Sequence, residues 1–171
     1  ADLKKLKTLS DRSGSMELGT GRSFLTDDGK NIILTDASGN ISAYPAQGGL
    51  LIASSSGGSP CPNTRFLASW PGLARVVTGN ASGNIQLWLK EGQRFRPIAD
   101  RKAGGSIKGM AFDPGSGAVV VVAAEGPLLL ISPDGSFTEI ALPQGHLARC
   151  MAPSGKGTMI IGTEKGAVLR L

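Results

Sequence analysis

Residues 79–88 read GNASGNIQLW, and residues 35–44 read the related TDASGNISAY. In each stretch a glycine turn separates two runs of β-forming residues, which is the pattern of a β-hairpin. Two more stretches of this form follow further along the chain. The central glycines are 44, 43 and 40 residues apart, and they are Gly39, Gly83, Gly126 and Gly166. The sequence is therefore a repeat, and we predict that the four glycines occupy equivalent turns.

Further strand-like runs flank each hairpin, so that one repeat unit has four strands, which we label a to d in chain order. The outer run, d, is expected at residues 50–53, 95–99 and 137–142 of the first three units. We place the units at residues 22–54, 64–100, 107–142 and 148–171. Because no helical period interrupts them, the predicted fold is all-β, a β-propeller of four-stranded antiparallel blades with four repeats in this chain.

Stacked blades bury both faces of their inner strands, and the run of four valines at residues 119–122 suits such a strand. The residue five positions after each repeat glycine ends strand c. We expect these ends to be equivalent and mostly buried, and they are Tyr44, Trp88, Ile131 and Leu171. Trp70, at the end of a strand a, is expected to be a core residue.

These features resemble the WD-repeat or WD-like β-propeller family. Residues 83–88, GNIQLW, are similar to the Gly-x-Ile-x-Leu-Trp strand of that family, and Gly145-His146 resembles its Gly-His dipeptide. The resemblance implies a structural role for His146, as a hydrogen-bonded histidine in the loop between strands d and a. Tryptophan ends one strand c only, so the buried His–Ser/Thr–Asp–Trp network of the family is incomplete here.

The chain ends at Leu171 with strand c of the fourth unit, while residues 3–9 form a spare strand-like run. We expect residues 1–10 to provide the outer strand that closes the last blade. Three arrangements remain open: a closed four-bladed monomer, an eight-bladed ring of two copies, or part of a larger propeller completed by another polypeptide. Because the chain begins with Ala1 rather than Met, processing or excision from a longer protein is also expected.

Composition excludes several classes of protein. The 171 residues include 2 cysteines and 1 histidine, too few for a disulfide scaffold or a histidine-rich metal site, and we expect neither a metal nor a cofactor. Cys61 and Cys150 are expected to be free thiols, as in a reducing compartment. No apolar run is long enough to span a membrane and no signal peptide is present, which favours an intracellular over a secreted protein.

The pattern predicts a non-catalytic protein-interaction scaffold that binds its partner on a loop face. The net charge of +5 also allows an anionic partner, with four arginines as candidate contacts: Arg22, Arg65, Arg94 and Arg96. The alternatives are a ligand-binding or catalytic propeller with a central-channel site, and a binder of nucleic acid or another anionic surface. The basic residues are scattered, which disfavours nucleic acid. Strand a is mostly apolar or small, which disfavours a catalytic channel.

Overall fold

The computed structural model describes residues 21–26, 28–56, 59, 61–154 and 158–171, and these residues form an all-β fold. The one helical element among them is a single 3-10 turn, Pro71–Leu73. The strand predicted at residues 3–9, and with it the closing role of residues 1–10, lies outside the described residues.

The described residues form fifteen strands in four consecutive groups. The first unit contains β1 (Arg22–Leu25), β2 (Asn31–Thr35), β3 (Ile41–Pro45) and β4 (Ala53–Ser54). The second contains β5 (Thr64–Ser69), β6 (Arg75–Asn80), β7 (Asn84–Glu91) and β8 (Arg94–Lys102). The third contains β9 (Ile107–Asp113), β10 (Ala118–Ala123), β11 (Leu128–Ile131) and β12 (Phe137–Ile140). The fourth contains β13 (Ala148–Pro153), β14 (Met159–Thr163) and β15 (Val168–Arg170).

Within each unit, every strand pairs antiparallel with the next strand along the chain. The first two units are also joined at their outer strands, where Ser54 of β4 pairs parallel with Arg94 of β8. The fourth unit has three strands in the described part of the chain.

The outer strand of the first unit differs from the prediction for residues 50–53. Gly48 and Gly49 have φ angles of +88° and +147°, and the turn they form leaves Leu50 89% exposed. Strand pairing resumes only at β4, which has two residues. The outer strand of the second unit is longer than predicted, because β8 extends to Lys102.

Neighbouring units pack face to face through three apolar clusters. The first cluster joins units one and two and includes Ile33, Ala43, Val76 and Trp88. The second joins units two and three through residues such as Val77, Leu87, Val119 and Val121. The third joins units three and four and includes Val120, Val122, Met159 and Ile161. The second and third units therefore contact the preceding unit with one face and the following unit with the other, as blades of a propeller do.

Strand β10 shows why both faces of a middle strand must be apolar. Val119 and Val121 lie in the second cluster, while Val120 and Val122 lie in the third. All four side chains are fully buried. Successive side chains of a strand point to opposite faces, so an uninterrupted apolar run is required when both faces are covered.

The residues predicted to end the c strands are buried in the first three units, although β7 continues past Trp88 to Glu91. Tyr44, Trp88 and Ile131 pair with Ile32, Val76 and Val119 of the adjacent b strands. Leu171, which follows β15, is of intermediate exposure and so less buried than the other three. It packs at the margin of the third cluster, where one neighbouring sheet covers it.

Trp70 is a core residue, as predicted. Its indole Nε1 donates a hydrogen bond of 2.9 Å to the carbonyl oxygen of Gly117 in the third unit. Its ring meets Phe112 edge to face, with ring centroids 6.2 Å apart. Trp70 therefore links the second unit to the third.

Replacing Trp88 by alanine should lower the free energy of unfolding by about 3–5 kcal/mol, because it removes a large side chain that is 1% exposed. Trp88→Phe should cost less, since it keeps most of the volume and loses the hydrogen bond from Nε1 to Thr78 Oγ1. Urea denaturation measures both variants against Leu50→Ala, which removes an exposed side chain. A loss below about 1 kcal/mol for Trp88→Ala would contradict the packing described here.

Candidate functional site

A polar pocket of about 480 Å³ opens where the first unit meets the second. Its walls come from the start of β1, the start of β5 with the loop before it, and the turn between β6 and β7. The lining residues are Arg22, Pro62, Asn63, Thr64, Arg65, Asn80, Ala81, Ser82 and Asn84. We call this end of the stack, where the d–a loops and b–c turns lie, the loop end.

Asn80 fixes the shape of the pocket wall. Its Oδ1 accepts hydrogen bonds of 3.0 Å from the backbone N–H groups of Ser82 and Asn84, which hold the turn. Its Nδ2 donates a 3.0 Å bond to the carbonyl oxygen of Pro62, which ties the turn to the preceding loop. Asn80 is 4% exposed, so these bonds form largely away from water. The wall of the pocket formed by this turn and loop is therefore held by hydrogen bonds that need no ligand.

The repeat glycines lie in the turns between strands b and c of their units, with φ between +77° and +85°. Two of them are also sites of close approach. A Cβ on Gly83 would lie 2.4 Å from the Gly105 carbonyl oxygen, and one on Gly39 would lie 2.4 Å from the Cys61 carbonyl oxygen. At these two turns glycine is needed both for its φ angle and for the space it leaves.

Cys61 lies behind the pocket and is fully buried. Its Sγ donates to the carbonyl oxygen of Asn84 at 3.2 Å, and its own carbonyl accepts a 3.0 Å bond from Thr64 Oγ1. Burial raises the pKa of the Cys61 thiol, although hydrogen bonds from Thr64 and Thr78 partly offset this. Because Thr78 also accepts from Trp88 Nε1, Cys61 belongs to a buried polar network that joins the loop to the sheet.

His146 lies in the loop between β12 and β13, in a position comparable to that of Cys61. A 3.1 Å hydrogen bond joins its Nδ1 to Thr163 Oγ1. Thr163 Oγ1 also accepts a 3.2 Å bond from the backbone N–H of Ala167, across the turn between β14 and β15. These bonds give His146 a local structural role, with its loop tied to the adjacent turn.

The four arginines predicted as partner contacts do not form one patch. Arg22 and Arg65 share the pocket. Arg94 and Arg96 lie on the outer strand β8, where Arg96 makes a 2.8 Å ion pair with Glu91. That hydrogen-bonded pair lowers the pKa of the Glu91 carboxyl and raises the pKa of Arg96. Sequence reasoning missed the neutral lining of the pocket, Asn63, Asn80, Ser82 and Asn84, although the repeated ASGN string marked part of it.

The pocket combines charged groups with neutral polar groups. Two guanidinium groups stand beside amide and hydroxyl groups, which together suit carboxylates and peptide groups. In the part of the chain that the structure describes, no three His, Cys, Asp or Glu residues lie close enough to hold a metal ion. The same part contains no helix with the length and apolar character that crossing a membrane requires.

Comparison with known proteins supports the fold. No family model matches the chain, and no curated protein matches it by sequence. Among solved structures, it is similar to the β-propeller domain of Cps50 (Swd1) from Myceliophteria thermophila, with a TM-score of 0.66 at 13% identity. The match covers 87% of this chain and 50% of that domain, so this chain spans about half its length. The fold is thus an all-β propeller architecture.

Both cysteines are free, as predicted, but they differ in exposure: Cys61 is buried and Cys150 is exposed on β13. In the chain on its own, with no further unit packed on the last sheet, one thiol per chain should therefore react rapidly with an aromatic disulfide reagent at pH 8. The second should react only after denaturation, because burial both blocks Cys61 and raises its pKa. Cys150→Ser should abolish the rapid phase. Two thiols reacting at one rate in the native protein would contradict the placement of Cys61.

Proposed function

We propose that this chain is a non-catalytic scaffold that binds a protein partner at its loop end, in the pocket between the first two units. The observation that carries the proposal is the pocket itself, which is open, polar and lined by two exposed arginines. Neither Arg22 nor Arg65 makes an ion pair within the described ranges. Their charges are therefore available to a partner.

The rigidity of the surrounding sheets supports a scaffold role. The pocket is built on strand ends and on a turn whose backbone is bonded by Asn80. A preformed surface loses little conformational entropy on binding, so more of the contact energy appears as affinity. Protein interaction is also the common use of the propeller fold, although a fold alone does not determine a function.

We also propose that the chain is a degenerate WD-like propeller. The sequence GNIQLW at residues 83–88 supports this assignment. So do the hydrogen bonds of Trp88 with Thr78 and of His146 with Thr163, which correspond to parts of the buried network of that family.

The proposal further includes completion of the ring by more propeller units, from a second copy or from another polypeptide. The half-length match to a solved propeller domain supports it. So does the outward face of the last sheet, where Cys150 and Val168 are exposed. Light scattering measures the mass of the purified chain in solution, and a dimer mass favours completion by a second copy. A species of 17.5 kDa that unfolds cooperatively only after another protein is added favours completion by another polypeptide. A lone 17.5 kDa species that unfolds cooperatively contradicts both.

The binding proposal is tested by filling the pocket. Peptides selected from a random display library on the immobilised chain should bind at least about tenfold more weakly to Ser82→Trp, whose indole would occupy the pocket. The matched control is Gln93→Trp, in the exposed turn between β7 and β8, which should leave their affinity unchanged. Equal affinity for the two variants would contradict binding in this pocket.

A further inference from the structure

Three of the four units share a bulge at the same place in their inner strand. In β5, Thr64 pairs with Asn80 and Phe66 with Gly79, so Arg65 is an extra residue between two pairs. Lys108 of β9 is extra in the same way, between Ile107 and Gly109. Arg149 of β13 is extra between Ala148 and Cys150. Each bulge therefore carries a basic side chain.

The three bulge cations occupy repeat-equivalent positions, 18, 18 and 17 residues before the repeat glycines of their units. All three are exposed, whereas the residue before each of them is buried. A β-bulge changes the direction in which side chains point, and the three bulges direct their basic side chains into solvent at the loop end. The inner strands β1, β5, β9 and β13 contact one another in succession, so the cations follow an arc across the stack.

The fourth unit differs from the second and third because the turn between its strands b and c carries a carboxylate that pairs with the bulge cation. Glu164, two residues before Gly166, makes a 3.0 Å ion pair with Arg149. The equivalent positions, two residues before Gly83 and Gly126, are occupied by Ala81 and Ala124. Arg65 and Lys108 have no ion pair in the described part of the chain, and neither does the exposed Glu125 beside Ala124.

We infer that Arg65 and Lys108, with Arg22 beside Arg65 in the pocket, bind carboxylates of an acidic segment of a partner protein, as Glu164 binds Arg149. The inference rests on the proposed function and specifies the chemistry of the partner. An extended peptide presents every second side chain on one side, and in an acidic segment these carboxylates would bind cations of the arc. The amide and hydroxyl groups of the pocket then bind its backbone.

Two features favour an acidic peptide over nucleic acid. The pocket lining contains no aromatic side chain on which a base could stack. The arc consists of a few separated cations in a chain of net charge +5. Nucleic-acid binding, in contrast, relies on neutralising many phosphates.

The ion pair of the fourth unit suggests a direct test, in which a carboxylate is introduced at the equivalent position of the second unit. Ala81→Glu should place a carboxylate beside Arg65 and weaken the binding of a labelled deca-glutamate peptide by up to about fivefold, the range of an exposed ion pair. Its matched control, Ala81→Gln, adds the same bulk without charge, so the difference in affinity between the two variants measures the effect of the carboxylate alone. Glu164→Gln should release Arg149 and strengthen binding by a similar factor.

Fluorescence polarisation at low and moderate salt measures these affinities, with deca-asparagine and a ten-nucleotide oligothymidylate as comparison probes. Preference for deca-glutamate, together with the opposite effects of Ala81→Glu and Glu164→Gln, supports the inference. Tighter binding of oligothymidylate, or equal effects of Ala81→Glu and Ala81→Gln, overturns it. If library peptides sensitive to Ser82→Trp are not acidic and ignore Ala81→Glu, this inference fails while the scaffold proposal stands.

Discussion

Burial of both faces of the middle strands is the constraint on which this structure depends. Val119 and Val120 are neighbours in sequence, but they contact different sheets, so neither sheet can be removed without exposing apolar side chains. Each fully buried aliphatic side chain contributes roughly 1.5–3 kcal/mol relative to exposure, and these contributions add along the stack. The stability of each unit therefore comes from its neighbours, as in other repeat architectures.

The same packing determines which side chains remain available to contact a partner. Strand faces are used for stacking, and polar groups remain at the strand ends, in turns and in bulges. Asn80 binds its turn to the preceding loop, and the bulge at Arg65 turns a charged side chain away from the interior of the sheet. These polar groups can therefore form a recognition surface at the loop end while the packing of the core stays unchanged.

Sequence reasoning found what depends on local pattern. The spacing of Gly39 and Gly83 and the valine run of β10 indicated the repeat and the all-β fold directly. It grouped Arg65 with Arg94 as candidate contacts, because the side chains that meet in one pocket are set by packing between units, which no local pattern records. The bulges could not be predicted from the sequence either, because a residue is extra only relative to the strand with which its own strand pairs. The burial of Cys61 depends on a loop that folds back over another turn.

Stacking should make the middle strands the most protected part of the molecule, and hydrogen–deuterium exchange read by mass spectrometry measures this protection. Amides of β6 and β10 should exchange last, at rates set by global unfolding, because they are bonded on both sides and covered on both faces. Residues 46–52, in the loop before β4, should exchange early. Equal exchange rates for β10 and this loop would contradict the stacked architecture.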